Sequence, residues 1–222
     1  IATKTSPLGL LGTTGVYGRE PFDLKKNIVM SVNSSIILKL FDRIYLNPNY
    51  QPNLTFKLNE TLIHKDGKYY ITVFNDVAGK SLYRNRQELV TLSENESLNG
   101  ILTLFKGQKV LTGRTLLKYL SQNSQEEYLP KLLENSVLLP AEQINIVGKQ
   151  SISKALLEKL KEVSSELFSD EIAILEKAVA LENEVFSWTA YDQLTEEIHN
   201  IVQTYGIEGF NKSTYVSIDA VT

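Results

Sequence analysis

Histidine and cysteine, which many catalytic and metal sites need, are scarce in this sequence. His64 and His199 are the only histidines, and there is no cysteine. A Ser-His-Asp triad needs a histidine beside its nucleophile, and a zinc site needs several histidine or cysteine ligands. We therefore expect neither a triad nor a metal site. The lack of thiols also suits a reducing cytosol.

A cation and a hydroxyl stand two positions apart near the start of the chain. Lys4 and Ser6 are followed by a proline, an apolar residue and a glycine. Three further segments are distinctive in composition or predicted structure: a glycine-rich stretch at 10–18, a helix entrance at 30–40 and a strand at 214–222. These four segments, in this order, resemble those of the lantibiotic dehydratases.

The resemblance implies a chemistry. In full-length members, an N-terminal domain transfers glutamate from glutamyl-tRNA to Ser or Thr hydroxyls of a precursor peptide, and a separate domain eliminates the ester. Such a reaction needs cations and hydrogen-bond donors that stabilise developing charge. By resemblance, the catalytic positions are Lys4, Ser6, Asn33 and Asp219, and glutamyl-tRNA is a co-substrate with no other cofactor. Lys4 replaces the commoner arginine, so it keeps the charge but loses the bidentate fork.

Two of these positions have a structural alternative. Asn33 falls where the family often has aspartate, and it also stands at a predicted helix entrance, where its side chain could cap free backbone N–H groups. Asp219 matches a family aspartate, yet polar residues normally occupy the solvent face of a half-buried strand. Both alternatives remain open from the sequence.

Length and composition favour an ordinary globular protein. The chain has 222 residues, of which 42% are hydrophobic, enough for one large or two small domains. No apolar run approaches the roughly 18 residues that span a bilayer, so we expect a cytoplasmic protein. The chain begins at Ile1 and stops at Thr222 within a predicted strand. We expect a fragment of a longer protein that has no dehydratase activity alone.

The middle of the chain predicts three strands. Residues 54–58 alternate apolar and polar side chains, a second strand covers 69–73, and a third covers about 87–92. Between the first two, Asp66-Gly67 is suited to a tight hairpin turn because both central positions need positive φ.

Three short helices are predicted next, at about 96–106, 112–120 and 124–137. The third opens on a capping-box pattern at 124–127, and Pro130 predicts either a kink or a later start. Three strands followed by three short helices predict a winged helix-turn-helix.

A winged helix most often binds DNA, but the charges here argue against it. The third helix would carry Glu126, Glu127 and Glu134 against Lys131 alone, and the whole chain has a net charge of −3. Carboxylates facing phosphates oppose binding. We therefore expect no DNA partner.

The resemblance implies that the predicted winged helix binds a peptide instead. In lantibiotic dehydratases a similar module binds the leader of the precursor peptide as an added strand, between its third strand and its third helix. The implied groove residues are Leu89, Val90 and Leu92 on the strand, and Tyr128, Leu132 and Val137 on the helix. Leucines at helical spacing are otherwise core residues.

The remaining sequence predicts helices on either side of this module. Apolar residues at helical spacing predict a helix at 34–45, and three long amphipathic helices follow Pro140 before a closing strand at 216–220. We expect an α+β fold with domains at 1–52, 53–140 and 141–222. The middle domain is the inserted winged helix, and the outer two form the glutamylation domain.

Two functions remain open. The chain is either part of a tRNA-dependent peptide glutamylation domain with its leader-binding module, or a non-catalytic peptide-binding or regulatory winged-helix protein. The first implies a precursor peptide and glutamyl-tRNA as partners. The first function is also compatible with a homodimer, with association with a cyclase and with a membrane-associated biosynthetic complex.

Overall fold

The protein is described here by a computed structural model that covers residues 28–76, 85–125, 127–142, 144 and 151–220. The strands are β1 (Ile28–Val32), β2 (Thr55–Leu58), β3 (Ile63–Lys65), β4 (Lys68–Asp76), β5 (Asn85–Ser93), β6 (Leu111–Thr112), β7 (Leu138–Pro140) and β8 (Val216–Ala220). The helices are α1 (Ser34–Leu46), α2 (Glu96–Leu104), α3 (Gly113–Gln122), α4 (Tyr128–Glu134), α5 (Ile152–Ser164), α6 (Ser169–Glu182) and α7 (Trp188–Thr204). This mixture of helices and small antiparallel sheets confirms the α+β class.

The described residues divide into two compact units. We call residues 1–41 with 144–222 the terminal unit, and residues 42–143 the central unit. The boundary falls within α1, after Phe41. No helix in the described ranges is long and apolar enough to cross a membrane.

The terminal unit is built on a two-stranded antiparallel ribbon. β1 pairs with β8 in a register that places Val32 opposite Val216. Met30, Val32 and Val216 are buried on one face of this ribbon, as alternation along a strand requires. The predicted helix stripes and closing strand are confirmed by α5, α6, α7 and β8.

Local capping fixes the ends of the long helices. The hydroxyl of Ser151 accepts a hydrogen bond from the Lys154 N–H (3.1 Å) at the start of α5, and Ser187 does the same for Ala190 (3.1 Å) at the start of α7. Such caps satisfy N–H groups that have no partner within the helix. α7 ends at Thr204 and is followed by Gly206, whose φ of 57° is the left-handed conformation typical of the residue after a helix C-cap.

The central unit contains two three-stranded antiparallel sheets, in the orders β6-β2-β7 and β3-β4-β5. Asp66 and Gly67 have φ values of 52° and 70°, so the predicted hairpin turn is confirmed. The predicted strand at 54–58 is confirmed as β2, but its predicted place in the hairpin is wrong. The short exposed strand β3 forms the hairpin with β4, whereas residues 55–58 form β2 between β6 and β7.

The predicted capping box at Ser124 is also wrong. Ser124 has a φ of 55°, and the Gln125 N–H donates to the Leu120 carbonyl (2.9 Å). These features are those of a Schellman motif, which ends a helix. Ser124 therefore terminates α3.

The helix α4 is shorter than predicted. It begins at Tyr128, which makes Pro130 its third residue. Since the first N–H groups of a helix have no intrahelical acceptor, proline is tolerated there. A second Schellman motif, with Ser136 at φ 55° and the Val137 N–H donating to Leu132 (2.8 Å), ends the helix. Val137 consequently lies beyond α4, contrary to the prediction.

Candidate functional site

The strand β5 forms one edge of its sheet. It pairs with β4 over its whole length, from Asn85 opposite Asp76 to Ser93 opposite Lys68. In the part of the chain that the structure describes, no strand pairs with its other side. Such an edge presents N–H and C=O groups that can pair with another extended chain.

The two faces of β5 differ in burial. Val90 and Leu92 are half-buried, and they lie opposite the buried residues Ile71 and Tyr69 of β4. Leu89 is 68% exposed because side chains alternate along a strand. Leu89 therefore does not share a face with Val90 and Leu92, and its predicted place in the same groove is corrected.

The helix α4 is linked to the end of β5 through Tyr128. The Asn95 Nδ2 group donates to the Tyr128 hydroxyl (3.2 Å), and the Asn95 Oδ1 atom accepts from the Leu98 N–H (2.8 Å). Asn95 lies two residues after the end of β5 and caps α2. The half-buried ring of Tyr128 is thereby held at the same end of the unit as Leu92.

The other two predicted groove residues are part of the core. Leu132 is 3% exposed and Val137 is 1% exposed. They are joined by the backbone bond that closes α4, and apolar residues at these two positions of a Schellman motif commonly pack together. These two residues contribute little surface that a bound peptide could contact.

In the terminal unit, Asn33 uses both ends of its amide within the protein. Its Oδ1 atom accepts from the Ser35 N–H (3.0 Å), and its Nδ2 group donates to the Thr214 carbonyl (2.9 Å). The first bond is that of an N-cap. The structure thus supports the capping interpretation of Asn33.

Asp219 belongs to a polar row on the ribbon. It lies opposite Val29, which is 42% exposed. Its carboxylate accepts from the Ser217 hydroxyl (3.4 Å), and that hydroxyl is 2.7 Å from the hydroxyl of Ser31. These groups form the more exposed face of β1 and β8, opposite the buried one.

Asn33 and Asp219 do not meet. The Asn33 N–H donates to the Tyr215 carbonyl (2.8 Å), and Asp219 lies four residues further along the chain. Four residues of a strand extend about 13 Å. Lys4 and Ser6 lie outside the described residues, so the predicted catalytic set cannot be assembled from the described residues alone.

Glu182 is a buried acid that the sequence reasoning missed. It is 7% exposed on α6, and its Oε1 atom accepts from the Val32 N–H (2.7 Å) and the Ser153 hydroxyl (3.3 Å). Burial raises the pKa of Glu182, and these hydrogen bonds oppose the rise. The sequence does carry a signal: Glu171, Leu175, Ala178 and Glu182 follow helical spacing, and all four are buried.

Comparison with solved structures identifies the fold. The tRNA-dependent lantibiotic dehydratase MibB from Microbispora sp. 107891 matches 88% of this chain with a TM-score of 0.56 and 12% sequence identity. The glutamylation domain of TbtB from thiomuracin biosynthesis, bound to 5'-phosphodesmethylglutamycin, matches 92% with a TM-score of 0.56 and 12% identity.

This chain spans about a fifth of either protein, 19% of MibB and 23% of TbtB. Neither a family model nor a curated protein sequence matches the chain. At 12% identity the likeness concerns the fold. The resemblance read from the sequence is therefore confirmed at that level: the chain has the α+β fold found in the lantibiotic dehydratase MibB and in the TbtB glutamylation domain.

Proposed function

We propose that this chain is part of the glutamylation domain of a tRNA-dependent peptide dehydratase, and that its central unit binds the leader of the precursor peptide. The edge of β5 that has no strand neighbour among the described residues carries this proposal. The fold shared with MibB and TbtB supports the same conclusion independently.

The leader would bind by β-augmentation. Its backbone would pair with β5, and every second side chain would enter the space beside Val90, Leu92 and Tyr128. The winged helix-turn-helix stays a proposal for this unit, supported by the order of β3, β4 and β5 before α2, α3 and α4. The proposed module extends over 53–140, with 1–52 and 141–222 belonging to the glutamylation domain.

For the transfer step we propose roles for Lys4, Ser6 and Asp219. Lys4 would stabilise the negative charge that develops as the glutamyl ester is attacked. Asp219 is supported by its accessible position next to the Ser217 hydroxyl. We place Asn33 outside the reacting groups and give it a structural role, since both of its amide ends are engaged.

A pair of variants on one strand tests the binding proposal. Leu92→Glu would put a charge into the half-buried groove, which is costly when the charge is desolvated. We expect the affinity for the leader encoded beside this gene to fall about 30-fold, equivalent to about 2 kcal/mol. Leu89→Glu makes the same chemical change on the exposed face and should leave the affinity within about twofold.

Fluorescence anisotropy of the labelled leader gives the affinities, and circular dichroism confirms that each variant is folded. Equal affinities for the two variants would contradict binding on the face of Val90 and Leu92. A wild-type protein that does not bind the leader would contradict the peptide role as a whole.

A non-catalytic peptide-binding protein is the second candidate. It is favoured by one observation: Asn33, one of the four expected catalytic residues, has both ends of its amide engaged within the protein. Glutamylation of the precursor by the full-length protein, measured with radiolabelled glutamyl-tRNA, separates the two. An Asp219→Asn variant that loses glutamylation but still binds the leader supports the transferase, and an unchanged rate removes Asp219 from its site.

A further inference from the structure

A second open cavity lies at the opposite edge of the β3-β4-β5 sheet. Its volume is about 670 Å³, and its lining comes from β2, the turn after it, β3, β4, α2 and the segment 105–110. None of the described residues that line it belongs to β5 or α4. Its lining therefore shares no described residue with the proposed leader groove, although Tyr69 lies opposite Leu92 of β5.

Half of the cavity lining is apolar. The six apolar side chains are Leu58, Leu62, Tyr69, Leu102, Phe105 and Val110. Tyr69 and Phe105 are buried, whereas Val110 is 44% exposed at the rim. A cavity of this size and polarity can take one or two large apolar side chains.

One polar wall of the cavity is held rigid by its own hydrogen bonds. The His64 Nε2 atom lies 3.2 Å from the Glu94 carboxylate, and the His64 ring lies 4.6 Å from that of Tyr69. The Tyr69 hydroxyl donates to the Asn99 Oδ1 atom (2.6 Å), and the Asn99 Nδ2 group donates to Glu94 (2.8 Å). This network occupies these polar groups and positions the Tyr69 ring against the cavity.

Two lysines also lie on the rim of the cavity. Lys57 and Lys109 both line the cavity, and neither forms an ion pair with another described residue. Glu60 is the one carboxylate in the described lining. Glu94, behind this lining, is already engaged by His64 and Asn99, so the two lysines next to the apolar floor complement a ligand that is both apolar and acidic.

The strand β3 adds a main-chain component. All three of its residues are exposed, and it forms the edge of its sheet, with β4 on its inner side. An extended peptide can pair with such an edge while its alternate side chains enter a neighbouring pocket. The apolar half of the lining favours a peptide over RNA, whose phosphates need cations rather than apolar contacts.

We propose that this cavity binds an acidic, apolar segment of a peptide, one in which large apolar side chains alternate with Asp or Glu. It would be a second contact for the precursor peptide, lined by residues outside β5, and that choice of partner rests on the proposed function. The apolar side chains occupy the cavity, and the carboxylates face Lys57 and Lys109.

The probe is a short fluorescein-labelled peptide that alternates leucine and aspartate, titrated against the whole chain. Lys109→Glu should weaken its binding about tenfold, and Val110→Asp should do the same by placing a carboxylate at the rim. Lys106→Glu is the matched control, because Lys106 is exposed on the same segment but does not line the cavity. It should change the affinity less than twofold.

Two more arms complete the test. A peptide with lysine in place of aspartate should not bind, and Leu89→Glu, on the exposed face of β5, should leave binding of the acidic probe unchanged. The proposal is overturned if the wild type does not bind the probe, if Lys106→Glu and Lys109→Glu weaken it equally, or if Leu89→Glu abolishes its binding. Since the leader titration reads the β5 face, failure here leaves the result for β5 intact, and the reverse also holds.

Discussion

The two units of this protein use their polar groups in different ways. In the terminal unit, the side chains of Asn33 and Glu182 form hydrogen bonds with backbone groups of the protein itself, and Glu182 also accepts one from the Ser153 hydroxyl. In the central unit, the edges of one sheet keep main-chain groups without a strand partner among the described residues. This comparison supports the proposal that the central unit is the one that binds a peptide, whereas the described polar groups of the terminal unit hold strands and helices in place.

The largest effect is expected from the core of the central unit. Leu132→Ala should lower the free energy of unfolding by about 3 kcal/mol, because it removes buried methyl groups and leaves a cavity. Leu89→Ala, at a 68% exposed position, should change it by less than about 0.5 kcal/mol. Urea denaturation followed by circular dichroism measures both. A small loss of unfolding free energy in Leu132→Ala would indicate that this side chain is exposed in the groove and not buried in the core.

A smaller effect is expected at Asn33 in the terminal unit. Asn33→Ala removes the cap of α1 and should destabilise the protein by about 1 kcal/mol. Ser34→Ala, at the next position, removes no side-chain hydrogen bond to another described residue and serves as the control in the same denaturation experiment. If Asn33→Ala left stability unchanged but abolished glutamylation in the full-length protein, Asn33 would have a chemical role after all.

The smallest effect concerns pH. Because burial raises the pKa of Glu182 in the folded state, the folded protein holds this proton more tightly than the unfolded chain. The contribution of Glu182 to the free energy of unfolding is then greatest below its pKa in the unfolded chain, about 4.3. This contribution is lost as the pH rises through the pKa of Glu182 in the folded state. Glu182→Gln removes this dependence.

Thermal melting from pH 4 to 8 tests this expectation. The melting temperature of the wild type minus that of Glu182→Gln should fall as the pH rises. Glu166→Gln, at an exposed position, controls for the loss of one carboxyl group. A difference that grew with pH would contradict the buried, proton-retaining state of Glu182.

The sequence predicted the elements whose signals are local. The stripe of α1, the cap at Asn33 and the Asp66-Gly67 turn depend on residues within a few positions of one another, and all three are confirmed. The pairing of β2 was missed because its partners, β6 and β7, are two and three residues long and remote in sequence. Strands so short carry no readable alternation.

Errors at the ends of helices have another cause. A serine can cap the start of a helix or adopt the left-handed conformation that ends one, and sequence alone does not separate the two at Ser124. Groove and core residues share the same apolar types, so Leu132 could not be distinguished from Leu92 without burial. The alternation of side chains along β5 was predictable from the sequence, however. It would have placed Leu89 on the opposite face of the strand from Val90 and Leu92.

The central claim is that the leader adds to β5 as a strand. An added strand forms main-chain hydrogen bonds with its neighbour through alternate N–H groups. We therefore suggest measuring the affinity of a series of leader peptides, each N-methylated at one successive residue, for the whole chain. Losses of about tenfold at every second residue are predicted, with little change at the residues between. Equal losses at all positions, or a repeat of three to four residues as for a bound helix, would contradict binding at this edge.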